Sequence, residues 1–271
     1  MNRKYNIFLV SDSTGETLDR IFLALKAQFE NFNNTLHHFS FVRTEAQIKT
    51  LLEKCQKLGN PIILYTLVEI PITSILLAET KKNNIPCFGV LDYLIPKFED
   101  ILNKRANHKP SGQHILNKEY YKKISAMQFS IEHDDGQKLE SILESDIIIL
   151  GISRTSKTPT TIYLANKGFK SSNIPIIPNQ KISEEILKNK KVTIVGLLAD
   201  PERLVDIRKN RLSTLSEDKH TSYVDLEKIK GEIEESRKIF KTNNIPIIDV
   251  SRKSVEEIAA SIIKIHEIKN S

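Results

Sequence analysis

The chain has 271 residues, of which 39% are hydrophobic and 27% are charged, and its formal net charge is +6. This composition is typical of a packed globular protein and excludes wholesale disorder, and the length allows two domains. Because the basic residues are spread along the chain without interleaved aromatic residues, we expect an anionic small ligand or an acidic protein surface as partner and no nucleic acid. No segment approaches the ~20 apolar residues of a membrane helix, so we expect a cytoplasmic protein with no membrane partner.

The first hundred residues alternate between short apolar runs and amphipathic segments. The predicted elements are strands at 5–10, 36–42, 62–67 and 87–91 and helices at 16–29, 44–58 and 72–83. Strands that alternate with helices in this way are typical of a parallel sheet with helices on both faces. We therefore predict an N-terminal α/β domain over residues 1–102.

A loop rich in hydroxyl groups follows the first predicted strand, at residues 11–17. Ligands of open α/β sheets bind at the carboxyl ends of strands, which is where this loop lies. The loop is therefore a candidate for a second site that recognises an anion or a hydroxyl group. Alternatively, Ser13 or Thr14 only caps the helix that follows, and the sequence leaves both interpretations open.

Residues 103–140 are predicted to link two domains, because their first part is polar and contains proline and glycine. A short helix is predicted at 118–127, and it leads to the sequence His-Asp-Asp-Gly at 133–136. There His133 and Asp134 could supply a general base, a Mg²⁺ ligand or an orienting pair. Asp-Asp-Gly is also ordinary in a solvated turn.

The chain is organised around a strand, a polar loop and a helix at residues 145–165. The apolar, β-branched start of this segment is typical of a strand buried on both faces. Gly151, Lys157 and Thr158 then stand at the offsets of a phosphate-binding P-loop, in which Ser156 replaces the second glycine. In such a loop the backbone N–H groups and the helix N-terminus face a phosphate, the lysine contacts the outer phosphates and the threonine can bind Mg²⁺. The alternative is an ordinary connection between a strand and a helix.

The rest of the chain continues the alternation, so we predict a C-terminal domain over residues 141–271. The further predicted elements are a loop at 171–173, strands at 174–177, 192–198 and 245–250, and helices at 183–188, 202–212, 223–241 and 254–268. Asp200 ends a buried strand, where it could hold Mg²⁺ or, next to a proline, cap the following helix. Arg208 and Arg211 share one helix face and could clamp a phosphoryl group or lie on a solvated surface. The predicted fold class is α/β, with two parallel-sheet domains.

Five segments carry a resemblance to a known family. They read VSDSTGET at 10–17, HDDG at 133–136, GISRTSKTPT at 151–160, GLLADPERLVDIRKNRL at 196–212 and IPIIDVSRKSVEEIAA at 245–260. In this order they span nearly the whole chain, which resembles the pyruvate, phosphate dikinase regulatory protein family, whose close relatives act on phosphoenolpyruvate synthase. The loop with Ser156 in place of glycine belongs to that family's variant of the P-loop.

The resemblance implies a bifunctional serine/threonine kinase and phosphorylase whose C-terminal domain is P-loop kinase-like. As a kinase it would move the β-phosphoryl group of ADP to a threonine of the dikinase, inactivate that enzyme and release AMP. As a phosphorylase it would use inorganic phosphate to remove the same group as pyrophosphate. The ADP site that the family implies comprises Gly151, Ile152, Ser153, Arg154, Thr155, Ser156, Lys157 and Thr158.

Within this hypothesis five side chains receive roles, since phosphoryl transfer relies mainly on positioning and charge stabilisation. Lys157 contacts the ADP phosphates, Thr158 binds Mg²⁺ and Arg154 stabilises charge on the moving group. Asp134 or His133 activates the threonine hydroxyl or the phosphate. The alternatives are the same chemistry on phosphoenolpyruvate synthase, an ATP-dependent P-loop kinase of a small molecule, and a non-catalytic module that senses ADP. A homodimer is kept as a hypothesis.

Overall fold

The computed structural model describes residues 3–112, 117–178, 182–215 and 222–271. The chain divides into two compact units, Met1–Ile115 and Leu116–Ser271. Within the described residues each unit contains a four-stranded sheet in which neighbouring strands run parallel. The predicted α/β class with two parallel sheets is confirmed. The domain limits drawn from the sequence at residues 102 and 140 stay a prediction.

The first unit alternates strands and helices. Its elements are β1 (Tyr5–Ser11), α1 (Glu16–Lys26), β2 (Asn34–Phe39), α2 (Glu45–Leu58), β3 (Pro61–Thr66), α3 (Ile70–Lys82), β4 (Cys87–Gly89) and α4 (Leu94–Leu102). The strand order is β2-β1-β3-β4. Alternate residues of a strand face opposite sides of a sheet, and accordingly Phe8 packs in the cluster that includes α2 whereas Ile7 packs in the cluster that includes α1. β1 is therefore buried on both faces.

The second unit repeats this arrangement around a larger core. Its elements are α5 (Lys118–Glu132), β5 (Ile147–Gly151), α6 (Lys157–Asn166), β6 (Ser171–Pro175), α7 (Glu184–Leu187), β7 (Thr193–Leu198), α8 (Pro201–Leu215), α9 (Leu226–Thr242), β8 (Ile247–Asp249) and α10 (Val255–Asn270). The strand order is β6-β5-β7-β8. Every residue of β5 and of β7 is buried, as expected of central strands with helices on both faces.

Both sheets have the same topology, because the first strand of each unit lies between the second and the third. In such an open sheet the chain leaves the first strand at the point where the order of strands reverses, and ligands bind there, outside the carboxyl ends of the strands. The loops that follow β1 and β5 occupy this position in their respective units. The topology therefore gives each unit one favoured place for a ligand.

β6 differs from the sequence expectation, which placed a loop at 171–173. The strand begins at Ser171 because its polar side chains have partners inside the unit. Ser130 Oγ of α5 donates to Ser171 O (2.6 Å) and accepts from Ser171 N (3.2 Å), and Ser172 Oγ lies 2.8 Å from Ser145 Oγ. Buried polar groups are tolerated when they are hydrogen-bonded. A run of serines and asparagine can therefore form a buried strand.

Two helices also differ from the expectation. α4 was not predicted, and it forms with Pro96 in its first turn, where a missing N–H breaks no helical hydrogen bond. α5 was predicted over 118–127 and continues to Glu132. Across the part of the chain that the structure describes, no helix combines the length and the apolar character needed to span a bilayer.

Candidate functional site

The loop between β5 and α6, residues 152–156, is called here the β5–α6 loop. Gly151 precedes it at the end of β5, and a Cβ at this position would lie 2.7 Å from Thr155 Oγ1 and 3.1 Å from the backbone oxygen of Leu197. The buried Thr155 hydroxyl in turn donates to Ile152 O (2.9 Å), which closes the loop on itself. This close approach of the loop to β5 and β7 leaves no room for a side chain at 151. The first position of the motif therefore requires glycine for steric reasons.

Two residues of the loop that are not glycine have a left-handed backbone. Arg154 has φ 72° and Ser156 has φ 60°, a conformation that costs L-residues roughly 1–2 kcal/mol each. Ser156 is the N-cap of α6 but makes no side-chain cap, so the side chain leaves the amides of the first helical turn uncapped. Backbone strain of this kind is typical of functional loops, and a helix N-terminus without a cap favours an anion.

Lys157 is buried at the base of the loop. Its ammonium donates to Ile152 O (3.1 Å), the one hydrogen-bond acceptor that it has among the described residues. Burial lowers the pKa of Lys157, while the nearby carboxylates of Asp135 and Asp134 act in the opposite direction and favour the charged form. An ammonium has three donors, so two are available to a ligand. The structure therefore holds an incompletely satisfied cation beside the uncapped helix.

Asp134 and Thr158 are brought together next to the loop. Thr158 Oγ1 donates to Asp134 Oδ1 (2.9 Å), which also accepts from Asn173 Nδ2 of β6 (2.5 Å). Asp135 donates its N–H to Asn173 Oδ1 (3.3 Å) and takes φ 50°. Asn173 was expected in a loop and was missed as a site residue. In the sequence, the one feature that sets Asn173 apart is its amide side chain within a polar run that precedes an apolar run.

His133 has no hydrogen bond to this group among the described residues. Its ring stacks on Phe129, with centroids 3.8 Å apart. One ring nitrogen lies 2.8 Å from Phe129 O and the other lies 2.7 Å from Ser141 Oγ. Both nitrogens are thus occupied at the end of α5, and of the two candidates His133 and Asp134 the aspartate is the one hydrogen-bonded to the helix after the loop.

Arg154 is exposed, and its side chain is held at the rim of the loop by Tyr223. Arg154 Nε donates to the tyrosine hydroxyl (3.3 Å), which also lies 2.8 Å from Ser153 Oγ. Tyr223 belongs to a short 3-10 turn, Ser222–Val224. Nothing in the sequence pattern indicated this residue, since it is distant from the loop along the chain.

Arg208 is buried beneath the same loop, so the solvated-surface interpretation is wrong for it, and its part in clamping a phosphoryl group stays a prediction. Its guanidinium forms a bidentate ion pair with Glu232 of α9 (2.6 and 3.2 Å) and donates to Ser153 O (3.4 Å) and Tyr223 O (3.0 Å). Its Nε has no partner among the described residues. Arg211 is exposed. Arg208 therefore positions the loop from within the core and is neither a solvated surface charge nor one half of an arginine pair.

Asp200 closes the end of β7 as a helix cap. Its carboxylate accepts from the N–H of Arg203 (3.0 Å) in the first turn of α8, so the capping interpretation is confirmed. A cleft of about 1060 Å³ opens here, at the carboxyl ends of β7 and β8, and its walls include Asp200, Arg203, Arg237, Asp249 and Arg252. Residues 152–156 do not line this cleft, so it is separate from the β5–α6 loop among the described residues.

The chemistry of the donors fits a magnesium ion better than a transition metal. Among the described residues no group of three or more histidine, cysteine, aspartate or glutamate side chains could hold a metal. Beside the loop, Thr158 and Asp134 supply oxygen atoms only. Mg²⁺ takes oxygen ligands and is usually held by one or two protein groups together with phosphates and water.

Comparisons with known proteins identify the family of the chain. A family model described as Kinase/pyrophosphorylase matches residues 7–263. The chain belongs to the kinase/pyrophosphorylase family. Similar relatives with the provisional name pyruvate, phosphate dikinase regulatory protein come from Pelagibacter ubique (51% identical, 100% of this chain and 99% of the relative), Erythrobacter litoralis (39%, 99% and 96%) and Hyphomonas neptunium (40%, 97% and 95%). The family match includes the β5–α6 loop, Asp134 and Arg208.

Proposed function

We propose that this protein regulates pyruvate, phosphate dikinase through two opposite phosphotransfer reactions. In one, a threonine hydroxyl of the dikinase attacks the β-phosphorus of ADP, so that phosphothreonine forms, AMP leaves and the hydroxyl proton is released. In the other, inorganic phosphate attacks the phosphothreonine, which regenerates the hydroxyl and releases pyrophosphate. Support comes from the family, from relatives of the same length, and above all from the buried and incompletely satisfied ammonium of Lys157.

The β5–α6 loop is the proposed cradle for the phosphates in both reactions. Lys157 and the uncapped amides at the start of α6 bind the phosphates of ADP or the attacking phosphate. Arg154, exposed at the rim, stabilises the charge on the group in transfer. Gly151 and Arg208 act as positioning residues, because the first permits the tight loop and the second holds its Ser153 carbonyl.

Thr158 is the proposed ligand of Mg²⁺, which would neutralise phosphate charge when bound. Asp134 Oδ1 already accepts two hydrogen bonds, so its orientation is set by Thr158 and Asn173. We also assign to Asp134 the activation of the attacking hydroxyl, since a carboxylate beside the cradle can accept that proton. His133 has a structural part here, because both of its nitrogens are occupied.

The deciding experiment follows the label of β-labelled ADP. The full chain is incubated with purified dikinase, phosphoenolpyruvate and the labelled ADP, and we expect label on a threonine of the dikinase. Added phosphate should then release the label as pyrophosphate. If only phosphoenolpyruvate synthase is labelled, the target is that enzyme. If ATP alone supports transfer, or if ADP binds and no protein is labelled, the proposal is wrong and the small-molecule kinase or the sensing module takes its place.

Lys157→Met tests whether one cradle serves both reactions. We expect both activities to fall at least about a hundredfold, because a donor aimed at the phosphates is lost. The melting temperature should stay equal or rise, since methionine removes a charge whose burial is unfavourable. Lys167→Met, at an exposed position just beyond the same helix, is the matched control and should keep both activities. Full phosphorylase activity in Lys157→Met would contradict the shared cradle.

A further inference from the structure

A small apolar cavity lies at the carboxyl end of β6, in the second unit. Its volume is about 150 Å³, and it is enclosed by the end of β6, the segment that follows α5 and the start of α7. The polar residues of its wall are Asp135 and Ser183. The rest of the wall is mainly aliphatic and includes Leu139, Ile174, Pro175, Ile177, Ile182 and Ile186. Walls of this kind do not suit a phosphate group, which needs hydrogen-bond donors when it leaves water.

The cavity adjoins the carboxylate of Asp134 through two stretches of backbone. Asp134 is followed directly by Asp135, which lies in the cavity wall. Asn173 donates to Asp134 Oδ1 (2.5 Å) and is followed directly by Ile174, which lies in the same wall. The cavity therefore begins one residue away from this hydrogen-bonded pair on both chain segments. A group bound in the cavity is close to the place where Asp134 accepts a proton.

Two large apolar side chains of the wall are exposed to water. Leu139 is 52% exposed and Ile177 is 49% exposed. Ligand pockets are concave and lined mainly by hydrophobic side chains, and covering such side chains removes apolar surface from water, which is favourable. The cavity therefore suits an apolar group that comes from outside the unit.

The size of the cavity restricts that group. An apolar cavity of roughly 150 Å³ can hold a molecule as large as benzene, so an aliphatic amino-acid side chain fits. The two fused rings of adenine are larger than benzene. The described wall also contains no aromatic ring and no guanidinium on which a base could stack.

The direction of phosphoryl transfer indicates which substrate supplies the apolar group. The attacking oxygen and the leaving oxygen lie on opposite sides of the phosphorus, roughly in line. In the kinase reaction the threonine hydroxyl attacks and gives its proton to Asp134, so this carboxylate lies on the side of the threonine. AMP leaves on the opposite side. Since the cavity adjoins Asp134, it faces the target polypeptide and not the adenosine of ADP.

Asp135 separates the cavity from the phosphate cradle by charge. It lines the cavity, and its carboxylate is near Lys157, because it opposes the lowering of the lysine pKa that burial causes. An anion in this position repels the phosphates of ADP from the cavity and does not repel a neutral side chain. The charge of Asp135 thus agrees with an aliphatic occupant.

We propose that this cavity binds an aliphatic side chain of the dikinase close to the target threonine. The side chain lies within about three positions of the threonine, since an extended chain advances only about 3.3 Å per residue. The proposal rests on the proposed function and adds to it a basis for the choice of threonine. The contact holds the hydroxyl at Asp134 in the kinase reaction and the phosphothreonine in the phosphorylase reaction.

Leu139→Gln and Ile177→Gln test the proposal in the transfer assay with β-labelled ADP and purified dikinase. Both positions are exposed, so the variants should fold, and glutamine adds no charge near Lys157. We expect the KM for the dikinase to rise at least about tenfold, because burial of one aliphatic side chain supplies a factor of this size. The KM for ADP and the kcat at saturating dikinase should not change.

Ile268→Gln is the matched control. Ile268 is 69% exposed and lies near Val192 and Thr193, at the edge of the sheet opposite the cavity. The control should keep all three kinetic constants of the parent chain. An equal rise of the dikinase KM in Ile268→Gln would show that loss of any exposed apolar side chain has this effect, and it would overturn the assignment to the cavity.

Replacements in the dikinase complete a double-mutant cycle. Each leucine, isoleucine, valine or methionine within about three positions of the labelled threonine is changed to alanine in turn. One replacement should raise the KM for the dikinase, and Leu139→Gln should then raise it little further, because the contact is already lost. Independent effects for every replacement would overturn the proposal.

The remaining outcomes separate the cavity from the proposed function. A higher KM for ADP with an unchanged KM for the dikinase would place adenine in the cavity and overturn the proposal. Unchanged constants in both glutamine variants, with a parent chain that labels the dikinase, would remove the cavity assignment alone. If the parent chain labels only phosphoenolpyruvate synthase, the same constants are measured with that enzyme. If it labels neither protein, the proposed function fails and the cavity assignment fails with it.

Discussion

The loops after β1 and β5 occupy the same position in two sheets of the same topology, yet they carry opposite kinds of side chain. In both, the residue before the helix has a left-handed backbone, Gly15 with φ 90° and Ser156 with φ 60°. The β5–α6 loop rests on two buried cations, Lys157 and Arg208. The loop after β1 contains buried hydroxyls and the buried carboxylate of Asp12.

This difference teaches that topology decides where a ligand can bind, while the side chains decide which ligand is held. Two buried cations next to an uncapped helix suit an anion of high charge, such as the diphosphate of ADP. The loop after β1 has buried hydroxyls and one buried carboxylate instead, so the charge near it is of the opposite sign. The two units thus share one backbone arrangement and differ in the charge of the side chains around it.

The largest expected effect concerns the buried ion pair of Arg208 and Glu232, which lies beneath the β5–α6 loop; among the described residues the loop after β1 has no such pair. Arg208→Leu leaves Glu232 without its partner and releases Ser153 O, so we expect a loss of about 3–5 kcal/mol in the free energy of unfolding. Urea unfolding of the variant measures it. Arg211→Leu, exposed on the same helix, should change that free energy by no more than about 0.5 kcal/mol. Equal midpoints for the two variants would mean that the pair does not support the loop.

The left-handed residues should respond in opposite directions to substitution. Gly15→Ala forces a Cβ into a backbone with φ 90° and should lower stability by about 1 kcal/mol, whereas Ser156→Gly relieves φ 60° and should raise it by a similar amount. Gly231→Ala in α9, where a Cβ meets nothing within 4 Å, is the control and should be stabilising, since alanine favours helix. Thermal unfolding compares the three. Stabilisation by Gly15→Ala would show that the shared backbone feature is absent from the first loop.

The smallest expected effect belongs to Asp12 and depends on pH. Burial raises the pKa of Asp12 above its ordinary value of 3.8, so the folded state binds the proton more tightly than the unfolded state. The resulting stabilisation is complete below about 3.8 and is lost as the pH rises through the raised pKa. Asp12→Asn cannot ionise, so its melting temperature should exceed that of the parent chain at pH 7.

The same advantage of Asp12→Asn should shrink as the pH falls towards 4. Asp100→Asn, at an exposed position of α4, is the control. If the melting temperatures of Asp12→Asn and the parent chain differ by the same amount at every pH, burial does not destabilise the ionised carboxylate. The two loops would then not differ in this electrostatic respect.

The sequence predicts those features that depend on residues close together in the chain. The apolar runs of β1 and β5, the offsets of Gly151 and Lys157, and the cap at Asp200 are local patterns, and the structure has the strands, the helix start and the cap where they were expected. Whether the loop binds ADP stays a prediction.

Features that depend on distant partners were not accessible to the same reasoning. Arg208 is buried because Glu232 meets it from another helix, and Asn173 lies in a strand because its neighbours find serine partners. His133 stacks on Phe129 and contacts Ser141, surroundings that its position beside two acids in the sequence did not indicate. In each case a polar side chain is explained by a partner that no spacing rule reveals.

Tyr223 gives the protein a built-in optical reporter. The chain has seven tyrosines and no tryptophan, so tyrosine emission is not masked by a stronger fluorophore. The hydroxyl of Tyr223 contacts Ser153 and Arg154, and its ring lies 4.6 Å from the guanidinium of Arg208. Binding of a ligand at the β5–α6 loop should therefore change the intrinsic fluorescence of the unlabelled chain. The part of that change that comes from the Tyr223 hydroxyl should be absent in Tyr223→Phe.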